Sequence, residues 1–119
     1  MTAANPTLKD IIEKLNLTVL TEPKDFSSVR PSSGYTSDML SCVMAGAQHD
    51  GVWVTLQAHN NIVAVAAMLG LAAVIITEDA QPEPATIQKA NQEEVVLLST
   101  RKPSFDVAGR LWEMGLRAE

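Results

Sequence analysis

Residues 52–79, VWVTLQAHNNIVAVAAMLGLAAVIITED, decide the fold. Val52-Trp53-Val54-Thr55 is a short β-branched and aromatic run, and Val74-Ile75-Ile76-Thr77 is a second apolar run closed by two acids. Between them a polar knot, Gln57 to Asn61, leads into an apolar helix ending at Gly70. Two apolar runs joined by a helical crossover predict two parallel strands, and such crossovers are right-handed almost without exception. In open parallel sheets, binding groups gather at the carboxyl ends of strands. The candidate ligand-binding residues are therefore Gln57, His59, Asn60, Asn61, Thr77, Glu78 and Asp79.

Working outward toward the N-terminus, residues 1–6 read as a loose tail. Thr7 caps a first helix, with Asp10 at its positive end and Leu8, Ile11, Ile12 and Leu15 on one stripe. Asn16 ends that helix, and Leu17 to Leu20 read as a first strand. From Glu22 to Ser33 turn formers dominate, which predicts a connection with at most a short edge strand. Gly34-Tyr35-Thr36 leads into a second helix capped by Thr36 or Ser37, with Asp38 in its first turn complementing the helix dipole. The expected inner face of that helix is Met39, Leu40, Val43, Met44 and Ala47.

Toward the C-terminus, Pro84 opens a helix to about Asn91, and Val95-Val96-Leu97-Leu98 reads as a fourth strand covered on both faces. A last helix carries Phe105, Val107, Ala108, Leu111 and Trp112 and ends near Gly115. The expected architecture is a single-domain α/β sandwich with a mainly parallel sheet of about four strands flanked by helices. Residues 7–116 form the domain and 117–119 a C-terminal tail. The central helix has almost no charged residue between Asn60 and Gly70, so it either lies centrally or turns one face to another subunit.

Length and composition bound the function. At 119 residues, 46% hydrophobic and 19% charged, the chain is expected to be one globular domain. A formal net charge of −5 with no basic stripe argues against nucleic acid. The single cysteine, Cys42, cannot form an internal disulfide or a multi-cysteine metal cluster, and reads as a buried or half-buried packing residue. The opening MTAANPTLKD lacks the charged and apolar regions of a signal peptide, and no apolar run reaches membrane-spanning length. A cytoplasmic protein with no membrane partner is the expectation.

At the polar knot a strand-to-helix turn offers unpaired backbone N–H groups and a positive helix end, which suit a phosphate or carboxylate. The plainer alternative is that Asn60 or Asn61 caps the helix while His59 packs or bonds a carbonyl. Glu78 and Asp79 diverge too much to make a convincing metal pair, so no metal or cofactor is expected. Neither a phosphate loop, a dinucleotide fingerprint nor a nucleophile elbow is present, so no catalytic residue is assigned. Trp53, Met39, Met44, Met68 and Met114 read mainly as core, with some available to a subunit interface.

The runs Gly34 to Ser41, Val43-Met44-Ala45 and Val54 to Ala66 resemble the small stand-alone DRTGG-domain proteins, which are similar to the N-terminal region of HPr kinase/phosphorylase. The resemblance covers about Thr7 to Leu116. It implies an α/β regulatory domain that commonly pairs as a homodimer and elsewhere accompanies phosphotransacetylases and CBS-containing pyrophosphatases. It implies no kinase activity, because the catalytic phosphate loop of HPr kinase lies in a different domain and does not occur in this sequence. The residues that name the family depart here: the first loop reads Ala58-His59-Asn60, and the second, Thr77-Glu78-Asp79, keeps only the threonine.

The leading reading is a non-catalytic regulatory or adaptor domain that self-associates and binds a small anionic or nucleotide-like ligand at its strand ends. One alternative is a small metabolic enzyme using His59 as acid or base. The other is a scaffold subunit with a protein partner.

Overall fold

The computed structural model describes residues 5–119, so residues 1–4 of the expected N-terminal tail lie outside the described residues. Its five-stranded sheet contains β1 (Thr18–Val19), β2 (Gly34–Thr36), β3 (Val52–Thr55), β4 (Ala73–Ile76) and β5 (Leu97–Ser99). Their order across the sheet is β1-β5-β4-β3-β2. The last four run parallel, and β1 pairs antiparallel with β5 through Thr18 opposite Ser99. The sheet is thus mixed but mostly parallel, and it has one strand more than the sequence predicts. The extra strand is β2: Gly34-Tyr35-Thr36 pairs with Val52-Trp53-Val54 instead of leading straight into a helix.

Three crossovers connect the parallel strands in turn: α2 (Leu40–Gly46), α3 (Asn61–Leu69) and α4 (Pro84–Gln92). The other two helices are α1 (Leu8–Leu15) and α5 (Ser104–Glu113). Period-two alternation sorts even the continuous apolar runs into two cores. Val52, Val54, Ala73, Ile75, Val96 and Leu98 pack with Leu8, Ile11, Leu15, Val107 and Leu111 of α1 and α5. Trp53, Val74, Ile76 and Leu97 pack on the other face with Val43, Ile62, Val63 and Ala90 of the crossover helices. Burying each large apolar side chain contributes about 1.5–3 kcal/mol, so the fully buried Trp53, Ile75, Ile76, Leu97 and Leu98 anchor the sheet.

Local signals explain the helix boundaries. Around α1, Asp10 N–H donates to the Thr7 hydroxyl at 3.1 Å and Thr7 N–H donates to the Asp10 carboxylate at 3.0 Å, a reciprocal capping box. Asn16 closes α1 with φ 54°. Gly70 closes α3 with φ 65°, where an added Cβ would fall 2.5 Å from the His49 ring.

Several expected core positions are on the surface. Met39 and Met44 are 61% and 49% exposed: of α2 only Val43 is buried, with Leu40 partly buried against the same core. Phe105 and Trp112 of α5 are 91% and 58% exposed. They lie seven residues apart and share the outer face, while Val107 and Leu111 take the inner one. Cys42 is also exposed, with its Sγ 3.6 Å from Met39 Sδ. The central helix α3 sits between α2 and α4, yet Ala64, Ala67 and Met68 remain open to solvent. Among the described residues no helix is long and apolar enough to cross a membrane.

Candidate functional site

The carboxyl ends of the parallel strands carry two loops of different construction. The first is formed by the segments that follow β2 and β3, which lie side by side. Asp38 lies before α2 rather than in its first turn, and its Oδ1 accepts from the Thr55 hydroxyl at 2.8 Å and from Leu56 N–H at 2.9 Å. Gln57 Nε2 in turn donates to the Asp38 carbonyl at 2.8 Å, and Gln57 N–H donates to Thr55 Oγ1 at 3.1 Å. Trp53 Nε1 donates to the Ser37 carbonyl at 2.8 Å. These bonds clasp the two strand ends together, and one Nε2 donor of Gln57 is committed to the clasp. Asp38 therefore holds strands instead of complementing a helix dipole.

Beyond the clasp, His59 and Asn60 are exposed. Asn60 occupies the N-cap position of α3 without a side-chain cap bond. Asn61 N–H points at His59 Nδ1 from 3.5 Å, and the next two amides are taken by the carbonyls of His59 and Asn60. Asn61 Oδ1 is buried and, among the described residues, has no hydrogen-bond partner.

The second loop follows β4. Thr77 is buried: its N–H donates to the Thr55 carbonyl at 2.9 Å and its hydroxyl lies 2.5 Å from Ser104 Oγ. Glu78 and Asp79 both take left-handed backbone, at φ 61° and 59°. Such a conformation costs a side-chain-bearing residue about 1–2 kcal/mol and costs glycine little. The backbone bends as a Gly-Gly pair would, although acids occupy it. One acid has a visible use: Glu78 Oε2 accepts the Ser104 N–H at 2.8 Å, capping α5, whose own N-cap residue is Pro103 and supplies no side-chain acceptor.

The loop is tied to the β5 end as well. Glu78 N–H donates to the Lys102 carbonyl at 2.9 Å and Asp79 N–H to the Thr100 carbonyl at 3.1 Å. Asp79 then faces a cleft of about 390 Å³ shared with Asn16, Thr18, Gln81, Arg101 and Lys102. The structure thus places Thr77, Glu78 and Asp79 with the β5 loop, and Gln57 with Asp38. Among the described residues no side-chain hydrogen bond joins the two groups. The cations at 101 and 102 were visible in the sequence as adjacent basic residues, but their neighbours across the cleft come from β1, whose place beside β5 depends on the sheet order. Among the described residues no group of three His, Cys, Asp or Glu side chains could hold a metal ion.

Comparison with known proteins gives the arrangement a family. No curated protein matches the chain. The chain is similar, over 99% of its length, to a crystal structure of the CBS and DRTGG domains of the regulatory region of Clostridium perfringens pyrophosphatase, complexed with the activator diadenosine tetraphosphate. The TM-score is 0.73 at 15% sequence identity, which shows a shared fold, and the chain spans 53% of that structure's length. The likeness to HPr kinase/phosphorylase expected above gains no support from these comparisons. The DRTGG domain profile matches residues 36–114, from the end of β2 through α5. The chain belongs to the DRTGG-domain family.

Proposed function

We propose that this DRTGG domain is a regulatory or adaptor module without catalysis of its own, which self-associates and takes a small anionic or nucleotide-like ligand at the carboxyl ends of its parallel strands. The observation that carries the reading is the family match together with the fold shared with a regulatory region that was crystallised with a nucleotide activator. The strand ends support it: Arg101 and Lys102 supply positive charge beside Asp79 in an open cleft.

Self-association is supported by the outer surface of the crossover helices. Neither α2 (LSCVMAG) nor α3 (NIVAVAAML) contains a charged residue, and Met39, Met44 and Met68 stand exposed on or beside them. A second copy of the chain would cover that face. The test is sedimentation velocity combined with thermal stability against nucleotides, acyl phosphates, sugar phosphates and short carboxylates. The expected results are a dimer that Met44→Asp with Met68→Glu disperses, and stabilisation by one ligand class. A monomer that responds to no compound contradicts the reading.

A further inference from the structure

We infer that the cleft between the β1 edge and the β4 and β5 loops binds a small phosphorylated polyol, with the phosphate on Arg101 and Lys102 and a hydroxyl on Asp79. This deepens the regulatory reading above and rests on it.

The volume of about 390 Å³ falls in the range of small-molecule sites, and the cleft opens at the carboxyl ends of two parallel strands. The Arg101 side chain is 90% exposed, and its pairing with Asp79 spans 3.9 Å, too long for a hydrogen bond. Its planar fork of donors is therefore open to an oxyanion. Lys102 is already placed: one donor of its Nζ goes to the Leu15 carbonyl at the last turn of α1, 3.1 Å away, which leaves two. The chain as a whole is acidic, with a net charge of −5, yet this cleft sets two cations against one carboxylate. Local positive potential of that kind draws in an anion that the rest of the surface repels.

The balance of charges selects the ligand class. Two neighbouring cations match a phosphomonoester, which carries about −1.5 to −2 at pH 7, better than a single carboxylate. Asp79, oriented by Gln81 Nε2 at 3.1 Å, can only accept when ionised, so its natural counterpart is a ligand hydroxyl. Thr18 and Asn16 add a hydroxyl and an amide from the opposite wall. The apolar side chain in the lining is Leu20, and the cleft presents no aromatic ring on which a base would stack. The arrangement therefore suits a sugar or polyol phosphate more than a nucleobase.

The experiment is an amide NMR titration of the full chain with ribose 5-phosphate, ribose, inorganic phosphate and adenosine monophosphate, repeated on Arg101→Gln and Lys102→Gln. Ribose 5-phosphate is expected to shift residues 16–20, 79–81 and 99–102 saturably, and Arg101→Gln to weaken it about tenfold or more with the rest of the spectrum unchanged. Equal binding of inorganic phosphate overturns the polyol contact and leaves an adventitious ion only. Binding that shifts residues 57–61 and survives Arg101→Gln overturns the cleft while leaving the regulatory reading intact. Binding of the nucleotide alone overturns the ligand class and likewise keeps that reading. Silence toward all four compounds overturns the cleft, and only silence across the wider metabolite panel brings down the regulatory reading with it.

Discussion

The two strand-end loops obey the same topological rule and do different work. At the β2–β3 end a carboxylate is turned inward: Asp38 takes a buried hydroxyl and a backbone amide, and Gln57 closes over it. At the β4–β5 end the inward work is done by Glu78 at the α5 terminus, and the next carboxylate, Asp79, is left facing a cleft with two cations. Strand-end polarity alone therefore does not mark a site. What separates the two carboxylates is how far the protein's own donors already match them: Asp38 is engaged by a hydroxyl and a backbone amide, whereas Asp79 keeps acceptor capacity toward the cleft, and a satisfied group has little left to give a ligand.

The largest expected effect is at the clasp. Asp38→Ala leaves the buried Thr55 hydroxyl and the Leu56 amide without their acceptor, which should cost about 2–3 kcal/mol in denaturant unfolding. Asp38→Asn keeps one carbonyl acceptor and should lose clearly less. Equal losses for both variants, or none for either, would break the contrast between a closed and an open loop.

A smaller effect is expected at Glu78. Glu78→Ala removes the α5 cap and keeps the left-handed strain, for a loss of about 1 kcal/mol. Glu78→Gly removes the cap and the strain together, and should be more stable than the alanine variant by about 1 kcal/mol. If the alanine variant is the more stable of the two, the loop does not hold the backbone described here.

The smallest effect sharpens the comparison with a helix cap built entirely within its own helix. The Asp10 carboxyl is held below its ordinary value, first by the backbone N–H of Thr7 and then by the Thr7 side chain. A depressed folded-state pKa means its contribution is present above the unfolded value and is lost as pH falls through the folded one. Thr7→Ala should move the Asp10 titration midpoint upward in NMR while leaving Glu78 and the α5 end undisturbed.

The sequence made the central unit readable because β3 and β4 are uninterrupted, fully buried runs of four residues joined by the nine-residue apolar α3. It hid β2, since Gly34-Tyr35-Thr36 is only three residues long and merges with the capping signal that follows it. It also misplaced Phe105 and Trp112, where hydrophobicity suggested core but the helical stripe is set by Val107 and Leu111. Trp112 instead lies under the Arg117 guanidinium, 4.0 Å from its ring centre. The role of Asp38 rests on partners 17 and 18 residues away, which no local pattern encodes. Asp79 was legible from the strand-end rule, whereas the cleft it faces was not, because the wall from β1 joins the sheet antiparallel and out of sequence order.

The central claim, that the open β4–β5 end is the ligand end and the clasped β2–β3 end is structural, is tested most directly by thermal stabilisation of three proteins. These are the unaltered chain, Gln57→Ala with His59→Ala, and Arg101→Gln, each scanned with phosphorylated metabolites. A ligand at a hundred times its dissociation constant stabilises by about 2.7 kcal/mol. The account predicts that increment in the first two proteins, the second starting from a lower baseline, and its loss in the third. The increment surviving in Arg101→Gln and vanishing in the Gln57 and His59 variant would contradict it.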